Sequence, residues 1–85
     1  MVVLIEVHLA PGAQTLQLSE EMLRETQAKP MTTEEARAAG FVGMAPGPEG
    51  LEVRYLAVEE RDARWVLNGL EASPDVSSFR VLHRA

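Results

Sequence analysis

The chain has two histidines, His8 and His83, the residue type best suited to proton transfer or metal ligation near neutral pH. Glu6 and His8 are two positions apart within the apolar run Val2 to Leu9, so in a strand they share one face. Pairing the first and last strands antiparallel would put His83 near Val2 and His8 opposite Ser77. The histidines would then lie at opposite ends of the sheet, which argues against a two-histidine metal site within one chain. A site across a dimer would need a carboxylate such as Glu6 to complete it. Otherwise the expected role of both imidazoles is solvent-facing.

Other chemical signatures have structural explanations. Glu20-Glu21, Glu34-Glu35 and Glu59-Glu60 resemble the paired carboxylates of acid–base sites. Each pair falls at a predicted helix start, where the helix dipole by itself favours acids. Glycines 40, 43, 47 and 50 could suggest a phosphate-cradling loop, but no Gly-Lys-Ser/Thr follows them. A hairpin tip is the better reading, with Gly43 marking a bulge or close contact. There is no nucleophile elbow and no His-Glu-x-x-His. Tyr55 and Trp65 are expected in the core; if Trp65 is instead exposed beside Arg61 or Arg64, it becomes an interface anchor.

Composition narrows the classes further. The 85 residues suit a single domain, 1–85, that buries only about 60–65% of its unfolded surface. Small domains often depend on disulfides, metals or self-association, and the absence of cysteine removes disulfides and thiolate sites. Self-association is the remaining common support. The formal charge of −5 and a pI near 4.9, with no basic cluster, argue against nucleic acid as a partner. The opening Met-Val-Val-Leu-Ile-Glu lacks a basic leader region and meets a glutamate at once, so neither a signal peptide nor a membrane span is expected. Cytoplasmic residence is the default expectation.

The elements that must position these residues follow from patterning. Val2 to Leu9 reads as a strand with one wholly apolar face, ended by Pro11-Gly12. Ser19 caps a helix that Pro30 stops near Lys29, with Leu18 and Leu23 placed for a hydrophobic staple. Thr32 and Glu35 form a capping box for a second piece ended by Gly40, so the first helical connection is broken at Pro30. Residues 41–45 and 51–58 read as strands joined by a Pro-Gly tip at 46–50. Glu59 to Asp62 opens a helix with a stripe of Ala63, Val66, Leu67 and Leu70. Val76 to Arg84 reads as a final, half-exposed strand.

That order, β-α-β-β-α-β, predicts an α+β, ferredoxin-like sandwich with a four-stranded antiparallel sheet and its helices on one face. Right-handed crossovers are expected to set the first and third strands side by side and parallel, with the last strand beside the first. The uncovered face would carry Glu6, His8, Glu52 or Arg54, Arg80 and Arg84 around Leu4, Leu56 and Leu82. Exposed apolar area of that kind tends to be covered by a second copy or a partner. A competing helix-turn-helix reading of the broken helix is disfavoured by charge, because residues 33–39 would offer a groove Glu34 and Glu35 with only Arg37.

The element order resembles several groups of small ferredoxin-like proteins, among them ACT-type and Lrp-type regulatory domains and the dimeric α+β barrel oxygenases and isomerases. His8-Leu9-Ala10-Pro11-Gly12 is similar to the strand-Pro-Gly opening of the barrel group. The chain departs from that group in having no helix directly after Pro11-Gly12.

The leading functional expectation is a non-enzymatic interaction or regulatory module that self-associates, or docks on a protein partner, through its sheet face or an edge strand. The alternatives are a small dimeric-barrel enzyme, with a histidine facing a cavity, and a metabolite-sensing domain. The candidate ligand or interface residues are Leu4, Glu6, His8, Arg54, Leu56, Trp65, Arg80, Leu82, His83 and Arg84. No catalytic residue, metal or cofactor is expected, and a small-molecule ligand is admitted as a partner.

Overall fold

The computed structural model describes residues 1–45 and 52–85. The expected hairpin tip at 46–50, and the opening of its following strand at Leu51, lie outside the described residues. Among the described residues the chain is α+β, with a four-stranded antiparallel sheet and three helices. In order these are β1 (Val2–Leu9), α1 (Glu20–Thr26), β2 (Lys29–Met31), α2 (Thr33–Ala38), β3 (Val53–Glu59), α3 (Glu60–Glu71) and β4 (Val76–Leu82).

Strand β1 is central. Val3 to Val7 are all buried, which needs cover on both faces and a neighbour on each edge. The neighbours are β3 and β4, and the sheet order is β2-β3-β1-β4. The expected adjacency of the first and third strands holds, but their expected parallel direction does not: Val2 pairs with Glu59 and His8 with Val53, an antiparallel register. A helix also intervenes between the second and third strands, so the element order is β-α-β-α-β-α-β.

The second strand is not 41–45. Helix α1 starts as expected, with Ser19 Oγ accepting from Met22 N at 3.1 Å, but it stops at Thr26. Gln27 there adopts a left-handed conformation, φ 54°, and turns the chain outward. Lys29–Met31 then pairs with β3, Pro30 lying opposite Leu56. Proline has no N–H to donate and is tolerated in a strand only at an edge, which is where β2 lies. Pro30 therefore does more than break a helix; its fixed φ favours the extended segment that follows α1. Residues 41–45 contribute only an isolated bridge, Phe41 to Arg84.

Helix α2 carries the capping box: Glu35 N donates to Thr32 Oγ1, and Thr32 N donates to the Glu35 carboxylate, both at 3.0 Å. Gly40, at φ 94°, ends it with a left-handed turn. Helix α3 follows β3 without a loop, its N-cap residue Glu59 accepting from the chain's N-terminal ammonium at 3.0 Å.

Both sheet faces are covered, contrary to the expectation of helices on one side only. On the first face Val3, Ile5, Val7 and Leu9 form a cluster with Leu56, Val58, Met22 of α1 and Ala63, Val66 and Leu70 of α3. On the second, Leu4, Tyr55 and Leu82 cluster with Ala36 of α2 and Phe41. Gly69 of α3 lies against the terminal methyl of Met22, so α1 and α3 meet there, and a methyl group at Gly69 would require the flexible Met22 side chain to shift.

Candidate functional site

The site is built around Glu6, which is wholly buried on the second face of β1. Its register partners are Tyr55 on one side and Arg80 on the other. Directly opposed residues in antiparallel strands project to the same face, so three strands deliver one carboxylate, one phenol and one guanidinium to a single place. His8, two residues along β1, joins them.

Every acceptor position of the carboxylate is used. Oε1 accepts from His8 Nε2 at 2.8 Å and from Arg80 Nε and Nη2 at 3.0 and 2.8 Å. Oε2 accepts from Ala45 N at 3.0 Å and from the Tyr55 hydroxyl at 3.1 Å. A carboxylate has only acceptors, so the imidazole proton facing it belongs on Nε2. Arg80 Nη2 also donates to the Gly43 carbonyl at 2.7 Å. Glu6 and Arg80 thus hold residues 43–45 against the sheet, supplying the backbone partners that this irregular segment lacks as a strand.

The electrostatics follow from this geometry. Burial alone would raise the Glu6 pKa, but hydrogen bonds from His8, Ala45, Arg80 and Tyr55 outweigh it and hold the carboxyl below its ordinary value of 4.5. Tyr55 moves the other way: burial first, then the charge of Glu6 and the hydrogen bond to it, raise the phenol above 10.0, partly offset by Arg80 and Thr33. A carboxylate with roughly four lone-pair sites and donors from four residues has none left for a substrate proton. Glu6 is a positioning group. The cluster's solvent-facing members are Arg80, whose side chain is 48% exposed, and His8, at 15%.

The other sequence-derived candidates are distributed differently. Leu4 and Leu82 are buried in the second cluster, covered by α2 and Phe41 rather than open. Leu56 is buried in the first cluster. The expected faces of β3 are inverted, because Ile5 lies opposite Leu56 and Val7 opposite Arg54. Arg54 therefore sits on the side away from Glu6, and Tyr55 takes the place beside it. His8 lies opposite Ser78, not Ser77. His83 is exposed beyond the end of β4, and Arg84 stacks over the Phe41 ring at 5.1 Å from its centroid. Trp65 is half exposed on α3, with Arg61 and Arg64 also exposed.

Sequence reasoning missed Tyr55, the Ala45 N–H and the Gly43 carbonyl as members of the cluster. The available signal was Glu6 itself, a charge inside an otherwise unbroken apolar strand, which requires donors from somewhere.

Among the described residues no helix is long and apolar enough to cross a membrane. Fold and site together define a small α+β domain organised around a saturated, buried carboxylate. Comparison of the chain with family models, with curated proteins and with solved structures gives no match.

Proposed function

We propose that this chain is a non-enzymatic interaction module that self-associates through the outer edge of β4, on a ferredoxin-like framework. The observation that carries the reading is the contrast between the two sheet edges. One edge, β2, is three residues long and contains Pro30, a protected edge. The other, β4, is the seven-residue strand Val-Ser-Ser-Phe-Arg-Val-Leu, with no proline, lysine or acid. Its outer side has no strand partner among the described residues. An edge of that length, with Arg80 its only charge and the Phe41 bridge falling beyond it at Arg84, is a template for another strand.

A second copy fits this edge. Antiparallel pairing centred on Phe79 would set Arg80 opposite Ser78 of the second copy, so no like charges meet despite the chain's −5. The ferredoxin-like part of the reading is supported by the antiparallel order β2-β3-β1-β4, with α1 and α3 each joining strands that flank another. Helix α2 would then be an insertion between the second and third strands. With the second sheet face largely covered, the edge is the better docking element.

Sedimentation of the intact chain tests this, with a species of twice 9.3 kDa expected at high concentration. Ser78→Lys would face Arg80 of the second copy and weaken the dimer, whereas Ser78→Glu would strengthen it. A monomer at all concentrations, or a dimer indifferent to both substitutions, refutes the proposal.

A further inference from the structure

A groove of about 330 Å³ opens beside the β2–β3 edge, on the first-cluster side of the sheet, and none of the features above accounts for it. Its walls are apolar: Leu16 and Leu18 from the segment before α1, Leu23 of α1, Pro30 of β2 and Leu56 of β3. Arg54 is the one charged residue among the described residues lining it. We propose that this groove binds a medium-chain aliphatic monocarboxylate, with the tail among the leucines and the carboxylate on Arg54.

Three observations argue for that occupant. The volume lies at the low end of the roughly 300–1,000 Å³ of small-molecule sites, which suits a small ligand such as decanoate. The lining carries neither histidine nor carboxylate, so the site is suited to holding a ligand rather than to acid–base work on one. The Arg54 fork is only partly engaged. Nη1 donates to Glu52 Oε2 at 2.9 Å and to the Val53 carbonyl at 3.1 Å, and Nη2 donates once, to the Gln14 carbonyl at 3.0 Å. Among the described residues this leaves Nε–H and one Nη2–H without a partner. Two donors of one guanidinium can serve the two oxygens of a carboxylate.

The anionic partner already present does not remove this capacity. Glu52 is 57% exposed and Arg54 40%, so their pair is weakly held, and it engages Nη1 alone. The net charge of −5 repels an anion at long range, but physiological salt screens that repulsion beyond about 8 Å. The contact from Arg54 to Gln14 also ties the segment forming one wall of the groove to β3.

Titration of the intact, methyl-labelled chain with decanoate, followed by NMR, tests the proposal, with decan-1-ol as the uncharged comparison. Decanoate is expected to shift the methyl groups of Leu16, Leu18, Leu23 and Leu56 together. Arg54→Gln is expected to weaken decanoate by at least about tenfold, the value of one charged hydrogen-bonded contact, and to leave decanol unchanged. Leu18→Trp, which fills the groove and keeps Arg54, is expected to abolish both and serves if Arg54→Gln does not fold. Equal decanoate affinity in wild type and Arg54→Gln overturns the proposal. So do undiminished binding by Leu18→Trp, shifts centred on Trp65 or Val42, and the absence of saturable decanoate binding at millimolar concentration. None of these outcomes bears on the oligomeric state, so failure here is distinguishable from failure of the β4 proposal.

Discussion

Replacing Glu6 by glutamine keeps the side-chain volume and removes one charge. If the new amide oxygen faces Arg80 and His8, its NH2 confronts the Ala45 N–H and the Tyr55 hydroxyl. The hydroxyl can rotate and accept, but the backbone N–H cannot, so a part-buried donor loses its partner at a cost of about 1–2 kcal/mol. The bonds from Arg80 lose their charge-assisted character, and because that side chain is 48% exposed water recovers most of the loss, leaving about 1 kcal/mol. The expected destabilisation is therefore about 2–3 kcal/mol near neutral pH, a large share of what a small domain possesses. Urea unfolding measures it as a lower midpoint at unchanged slope.

The pH dependence gives a second, independent readout. The folded pKa of Glu6 lies below its ordinary 4.5, so in acid the unfolded chain takes up this proton first. The contribution of Glu6 to stability is fully present above the unfolded pKa and is lost as pH falls through the folded one. Wild type should therefore lose more stability on acidification below 4.5 than Glu6→Gln does, and the two should converge. A neutral-pH difference under about 0.5 kcal/mol, or a gap unchanged down to about pH 3, would refute the account of the cluster as a net stabilising strap.

The remaining expectations use the same cluster and one helix end. Tyr55 is the single tyrosine, so the tyrosinate absorption band reports it alone; its midpoint should lie above 10.0 in the folded chain and move down in Glu6→Gln. A folded-state midpoint at or below the unfolded one would show that Glu6 and burial do not act on the phenol as described. Because the folded pKa is raised, stability should also fall as pH rises through the unfolded value near 10. Thr32→Ala removes the side-chain half of the α2 capping box and should cost about 1 kcal/mol in denaturant melts, with Thr32→Ser nearly neutral.

Much of the local structure was legible because its causes are local. Ser19 and Thr32 cap where their side chains meet nearby N–H groups, and Ala63, Val66 and Leu70 bury together because helical spacing aligns them. The β1 span and its central place followed from a run with one face wholly apolar and the other half apolar. The broken connection at Pro30 was visible, but not that the break is itself a strand, since pairing with Leu56 depends on a neighbour remote in sequence. Residues 41–45 have a strand-like composition, yet their polar backbone is partly satisfied by Glu6 and Arg80, and nothing local announces that.

The sequence by itself determined the α+β class with its four-stranded antiparallel sheet, the helix starts and the presence of a charge in the middle of a core strand. Only the tertiary structure decided what surrounds that charge. In β3 both alternating sets, Val53-Tyr55-Ala57 and Arg54-Leu56-Val58, are apolar enough to be buried, so alternation cannot choose between them. The register Glu6 to Tyr55 makes the choice. It places the phenol against the carboxylate and Arg54 against the groove, because a shift of one residue in a strand exchanges its two faces completely.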